Sequence, residues 1–149
     1  MLQSKGVLSV QPYRGRIVLN VSDDLVNLYY WFITREYWIR FQKPLHGAHI
    51  TIFNQTHHEQ VNWNAAMAFD KIVFDFNYDV NIREGGYTKG FIMYYMMVWS
   101  CALDDLKHQL KIKEGPRYKG LHLTIGNGKN NNIFPDWPRM IEIRSSINH

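Results

Sequence analysis

His49-Ile50-Thr51-Ile52 is matched further along the chain by His122-Leu123-Thr124-Ile125, a second histidine and threonine two residues apart with an apolar residue between and after them. Successive side chains of a strand point to opposite faces, so each His-x-Thr pair shares one face while Ile50, Ile52, Leu123 and Ile125 share the other. Residues i and i+2 of a strand lie about 7 Å apart, close enough for both polar groups to reach one phosphate.

The residues before each motif repeat an order as well. Arg16 to Val21 reads as a strand rich in Ile, Val and Leu. Ser22 followed by Asp23 and Asp24 reads as an N-cap with acids in the first helical turn. Leu25, Leu28, Tyr29, Phe32 and Ile33 follow a helical stripe that continues toward Glu36 and Trp38, and Pro44 and Gly47 interrupt it before the first motif. In the second half, Phe91 to Trp99 reads as a buried strand and Leu103 to Ile112 as a helix with Asp104 and Asp105 in its first turn. Gly115-Pro116 stops that helix before Leu121 to Ile125. A strand-helix-strand order that occurs twice and closes each time on His-x-Thr leads us to expect an α+β, bilobal fold. Its two lobes would be related by a pseudo-twofold axis around a central cleft.

Between the halves, Asn54 to Asn62 reads as a loop, Trp63 to Phe69 as a short helix and Ile72 to Tyr78 as an alternating strand, with a turn at Gly85-Gly86. Gly126 to Asn132 has the chemistry of a loop, because Gly and Asn tolerate positive φ, and Met140 to Arg144 reads as a last edge strand. No linker divides the 149 residues, so one domain over 1–149 is expected.

Composition narrows the class. A 46% hydrophobic content with 15% aromatic residues excludes disorder, and 17 Lys and Arg against 13 Asp and Glu give a net charge of +4 that suits an anionic substrate. Cys101 is the single cysteine, so neither an internal disulfide nor a cysteine zinc cluster can form, in keeping with a reducing compartment. Met1 to Val10 lacks the apolar run of a signal peptide. The apolar run from Phe91 to Leu103 falls short of the roughly 20 residues a membrane helix needs. A cytoplasmic protein is expected, with no membrane contact and no obligate protein partner.

Two strands brought together would place two imidazoles on opposite sides of one phosphate. A histidine near its unperturbed pKa of about 6.5 serves as base or acid at neutral pH. His49 and His122 can therefore remove a proton from an attacking hydroxyl and return one to the leaving oxygen. Thr51 and Thr124 would donate hydroxyl hydrogen bonds to the non-bridging oxygens, and no metal or other cofactor is called for. The same pattern also suits histidines and threonines simply packed in strands.

The paired His49-Ile50-Thr51-Ile52 and His122-Leu123-Thr124-Ile125 resemble the signatures of the two-histidine phosphoesterase superfamily, and the duplicated strand-helix-strand order resembles its bilobal fold. That resemblance implies metal-independent cleavage of phosphodiesters beside a ribose hydroxyl, with His49, Thr51, His122 and Thr124 as the catalytic set. Within the superfamily, the compact aromatic-rich chain with its Asn-rich loop is most similar to the phage anti-CBASS nucleases. Those enzymes degrade cyclic di- and trinucleotide immune signals, which would place this chain in a host cytoplasm. There, the resemblance implies attack by a ribose 2'-hydroxyl on the 3'-5' bond and stacking of bases on aromatic side chains. Tyr13, Phe74 or Phe76, and Trp137 are the candidates here, although such aromatics are more often simply core.

An RNA 2',3'-cyclic phosphodiesterase and a non-catalytic nucleotide-sequestering protein remain the alternatives. His46 and His49, three apart on a strand, would face opposite ways and share no metal. His57-His58-Glu59 reads as a solvated loop. Lys5, Arg14, Arg16, Lys119, Lys129 and Arg139 could ring the cleft or only keep the chain soluble.

Overall fold

The computed structural model describes residues 2–37, 42–44, 47–54, 61–85, 91–113 and 120–129. In chain order the elements are β1 (Leu2–Gln11), a single 3-10 turn (Pro12–Arg14), β2 (Arg16–Val21), α1 (Asp23–Tyr37), β3 (His49–Asn54) and α2 (Trp63–Met67). They continue with β4 (Val73–Gly85), β5 (Phe91–Trp99), α3 (Cys101–Gln109) and β6 (Leu121–Lys129). Met140 to Arg144 and Trp137 lie outside the described residues.

Alternation builds the sheet. Leu8 and Val10 of β1, Ile17, Leu19 and Val21 of β2, Phe74, Phe76 and Tyr78 of β4, Ile92, Tyr94, Met96 and Val98 of β5, and Leu121, Leu123 and Ile125 of β6 are all buried. They form one apolar face that joins a single core with Val26 and Ile33 of α1 and Leu103 and Leu106 of α3. The helices therefore pack on the apolar side, and the other face of the sheet carries the polar residues.

Both long helices begin as their sequences dictate. The Asp24 amide donates to Ser22 Oγ at 3.3 Å at the start of α1. Ser100 Oγ accepts from the Leu103 amide at 3.1 Å and donates to the Asp75 carbonyl at 2.7 Å, which caps α3 and ties it to β4. The second helix thus starts at Cys101, two residues before the expected Leu103.

The bilobal α+β arrangement is not what forms. Among the described residues, all six strands are antiparallel members of one closed barrel in the order β1-β2-β3-β6-β5-β4, accompanied by three helices. Three unexpected stretches of strand account for the difference. β1 occupies a stretch that carried no expected element, and it pairs with β2 on one side (Leu8↔Leu19) and with β4 on the other (Gly6↔Phe74). β4 continues to Gly85, past the expected end at Tyr78. β6 continues through Gly126 to Lys129, so the start of the expected Gly- and Asn-rich loop is strand, paired with β5 at Tyr94↔Gly126 and Ile92↔Gly128. Each extension satisfies backbone donors and acceptors that separate lobes would leave on open edges.

What repeats is connectivity. Exchanging β1, β2 and β3 with β4, β5 and β6 leaves the ring order unchanged, and β2-α1-β3 corresponds to β5-α3-β6. β3 and β6, the last strand of each half, are therefore neighbours, which is what brings the two His-x-Thr motifs side by side.

Candidate active site

β3 and β6 pair antiparallel through Ile50↔Leu123, both fully buried on the apolar face. Carrying that register one residue outward sets His49 opposite Thr124 and Thr51 opposite His122 on the other face. Cβ atoms of opposed residues lie about 4.5–5.5 Å apart, and diagonal pairs such as His49 and His122 about 7–8 Å. Each histidine thus faces the threonine of the other motif, and all four side chains are partly buried. Tertiary pairing assembles this tetrad from residues 73 positions apart (122 − 49) in the chain.

Both strands are irregular at the same place. Across β2 and β3 the pairs are Ile17↔Phe53 and Val18↔Thr51, so Ile52 is an extra residue in β3. Across β5 and β6 the pairs are Tyr94↔Gly126 and Tyr95↔Thr124, so Ile125 is extra in β6. The fourth residue of each motif is therefore a β-bulge, a feature that bends a strand and re-aims the side chains beside it. Both bulged isoleucines are buried.

The residue two before each histidine is a glycine with positive φ: Gly47 at +78° and Gly120 at +83°. Gly47 supplies a brace, because its carbonyl lies 2.9 Å from His49 Nδ1. A carbonyl can only accept, so Nδ1 carries the hydrogen and Nε2 is left for the site. The segment before His49 is itself held. The Ala48 amide donates to Asp23 Oδ1 at 2.9 Å, the Val21 amide to the Ala48 carbonyl at 3.0 Å, and the Gly47 amide to the Pro44 carbonyl at 3.3 Å. Asp23 therefore does more than open α1.

The two imidazoles differ in setting. Burial, and secondly the nearby His49, push the His122 pKa below 6.5, so its neutral form is favoured at neutral pH. The Tyr95 ring meets His122 edge-on, with centroids 5.5 Å apart and planes at 66°. Thr124 Oγ1 donates to Met93 Sδ at 3.5 Å, a weak acceptor that an anionic oxygen would replace. Val18, paired with Thr51 across β2 and β3, is fully buried and lies outside the main core.

The expected stacking aromatics that fall among the described residues are not brought to the tetrad. Phe74 and Phe76 are 9% and 1% exposed and belong to the core, because their parity on β4 turns them to the apolar face. Tyr13 is fully exposed on the 3-10 turn joining β1 to β2, beyond the Arg16↔Asn54 pair and away from His49 along the strand. Among the described residues, Tyr95 is an aromatic that does touch a histidine. Its place on the polar face follows from strand alternation within β5, between Tyr94 and Met96 of the core.

Of the basic residues expected around a cleft, Lys5 is exposed and stands across from Asp75, Arg16 Nε donates to Gln11 Oε1 at 2.8 Å, and Arg14 is exposed on the turn. Lys119 and Arg139 lie outside the described residues, as do His46 and the 57–59 segment. No group of three or more His, Cys, Asp or Glu able to hold a metal occurs among the described residues. None of their helices is long and apolar enough to cross a membrane. Comparison of the chain with protein-family models, with curated proteins and with solved structures gives no match.

Proposed function

We propose that the protein is a metal-independent phosphodiesterase that opens cyclic di- and trinucleotide signals by internal attack of a ribose 2'-hydroxyl, in the manner of a viral enzyme evading a nucleotide-signalled defence. The observation that carries this reading is the crossed tetrad, in which each His-x-Thr histidine stands opposite the other motif's threonine on adjacent antiparallel strands. The reading rests on these four side chains and not on a lobed scaffold.

His122, held neutral by its burial, is the base that removes the 2'-hydroxyl proton. The 2'-oxygen forms a bond to phosphorus, the bond from phosphorus to the 5'-oxygen breaks, and His49 delivers a proton from Nε2 to that leaving oxygen. The product is a ring-opened chain ending in a 2',3'-cyclic phosphate. Thr51 and Thr124 donate to the non-bridging oxygens as charge builds on them. Their hydroxyls come from opposite strands, so the phosphorane would be held from both sides.

The test is incubation of the protein in chelator with ribose cyclic di- and trinucleotides, their 2'-deoxy analogues and 2',3'-cyclic mononucleotides, followed by chromatography. Linear product from the ribose rings alone is expected. Cleavage of only the cyclic mononucleotides would make it an RNA-end phosphodiesterase, intact ligand throughout would make it a binding protein, and efficient cleavage of the deoxy ring would mean that water attacks directly.

A further inference from the structure

One row of side chains on the polar face extends beyond the tetrad. Tyr95 pairs with Thr124 across β5 and β6, and Arg83 pairs with Tyr95 across β4 and β5. Directly paired residues share a face, so Arg83, Tyr95, Thr124 and His49 lie in a line across four adjacent strands. Glu84 pairs with Tyr94 and is turned to the other side. The Arg83 backbone thus stands about 10 Å from that of Thr124, two strand spacings away. Its side chain is exposed and has no ion-pair or hydrogen-bond partner among the described residues.

Tyr95 stands between them on β5. A Cβ built on Gly85 would sit 3.2 Å from Tyr95 Cε1 and 3.4 Å from its hydroxyl, so this ring occupies the space a side chain at 85 would take. It rests there against β4 at Gly85, two residues along from Arg83, and meets His122 edge-on beside the tetrad.

We propose that Arg83 and Tyr95 form a second subsite that takes the non-scissile phosphate and the intervening nucleoside of a ligand with two phosphodiesters. This rests on the reading of the tetrad as the site of the scissile phosphate. The guanidinium offers a planar fork matched to phosphate oxygens, and the phenol ring covers the sugar or base that bridges the two phosphates. A mononucleotide seated on the tetrad has no second phosphate to offer Arg83. The subsite therefore selects ligands by the number and spacing of their phosphates.

The experiment titrates wild type, Arg83→Ala and Arg83→Lys by calorimetry with two probes. One is a 2'-deoxy cyclic dinucleotide, which has two phosphodiesters and no attacking hydroxyl, and the other is a nucleoside 3'-monophosphate. Circular dichroism checks the fold of the exposed-site variants. Arg83→Ala should weaken the cyclic dinucleotide by at least about tenfold while changing the monophosphate less than about twofold, and Arg83→Lys should fall between. An equal loss for both ligands, no loss for the dinucleotide, or no binding of the dinucleotide by wild type each overturns the subsite. Turnover of the ribose ring, measured separately, reports on the tetrad. An Arg83-dependent ligand that is never cleaved would sink the catalytic reading and leave the subsite standing.

Discussion

Replacing Gly47 with alanine tests whether the backbone before the motif sets the His49 ring. A Cβ at this position would find its nearest neighbour, Asp23 Oδ1, at 3.4 Å, so room is not the obstacle. The obstacle is φ of +78°, which costs an L-residue about 1–2 kcal/mol. Stiffening of the unfolded chain offsets less than that, leaving a net loss of about 1 kcal/mol, or about 2–4 °C in Tm for a chain of this size. Relief of the strain would turn the Gly47 carbonyl away from Nδ1, 2.9 Å distant, and remove a hydrogen bond worth about 0.5–1.5 kcal/mol. If that bond is what aims Nε2, single-turnover rates should fall roughly two- to tenfold. Gly47→Asn should be milder, because asparagine tolerates left-handed backbone. In a His49→Ala background, Gly47→Ala should still lower Tm but take nothing further from the residual rate. Wild-type stability together with a wild-type rate in Gly47→Ala would refute the brace, and a further rate loss in the double variant would refute its action through His49.

Other outcomes follow from the same geometry. His49→Ala and His122→Ala should each lower turnover by at least about 100-fold while far-ultraviolet circular dichroism stays that of wild type. Because the folded-state pKa of His122 is depressed below 6.5, the limb of the single-turnover rate that reports this base should lie on the acid side of that value. A limb above it would exclude His122 as the base. The same depression has a stability counterpart: the unfolded chain takes up the proton first, so this stabilisation is full above pH 6.5 and is lost as pH falls through the folded-state value. His122→Gln should flatten that part of a denaturant-midpoint against pH curve, and an unchanged slope would contradict the assignment. Leu123→Ala, at the fully buried pair that joins β3 to β6, should cost about 2–5 kcal/mol in urea unfolding, and a loss below 1 kcal/mol would mean that this seam does not hold the two motifs together.

Local chemistry alone determined several features of this protein. Alternation separated His49, Thr51, His122 and Thr124 from Ile50, Ile52, Leu123 and Ile125, and the structure keeps that separation because strand geometry needs only neighbouring residues. Ser22 with two aspartates and Ser100 with Leu103 start helices by bonds within one turn. The glycines at 47 and 120 were also open to view, since Gly-x-His-x-Thr-Ile occurs twice, but their meaning lies in a positive φ that residue types alone do not specify. Tertiary structure decided the rest. Whether two strand-helix-strand units stand apart or share one barrel depends on which edges pair, and β1 settles this by bonding to β2 and β4 at once. The register Ile50↔Leu123 that opposes each histidine to the other motif's threonine is a contact between distant segments, and a shift of one residue would turn one motif to the core. The same holds for the flanking aromatics. Phe74 and Phe76 suit either face of a strand and Tyr95 falls in a run that reads as buried, and only the pairing of β4 with β1 and of β5 with β6 turned the first two into core and set Tyr95 beside His122.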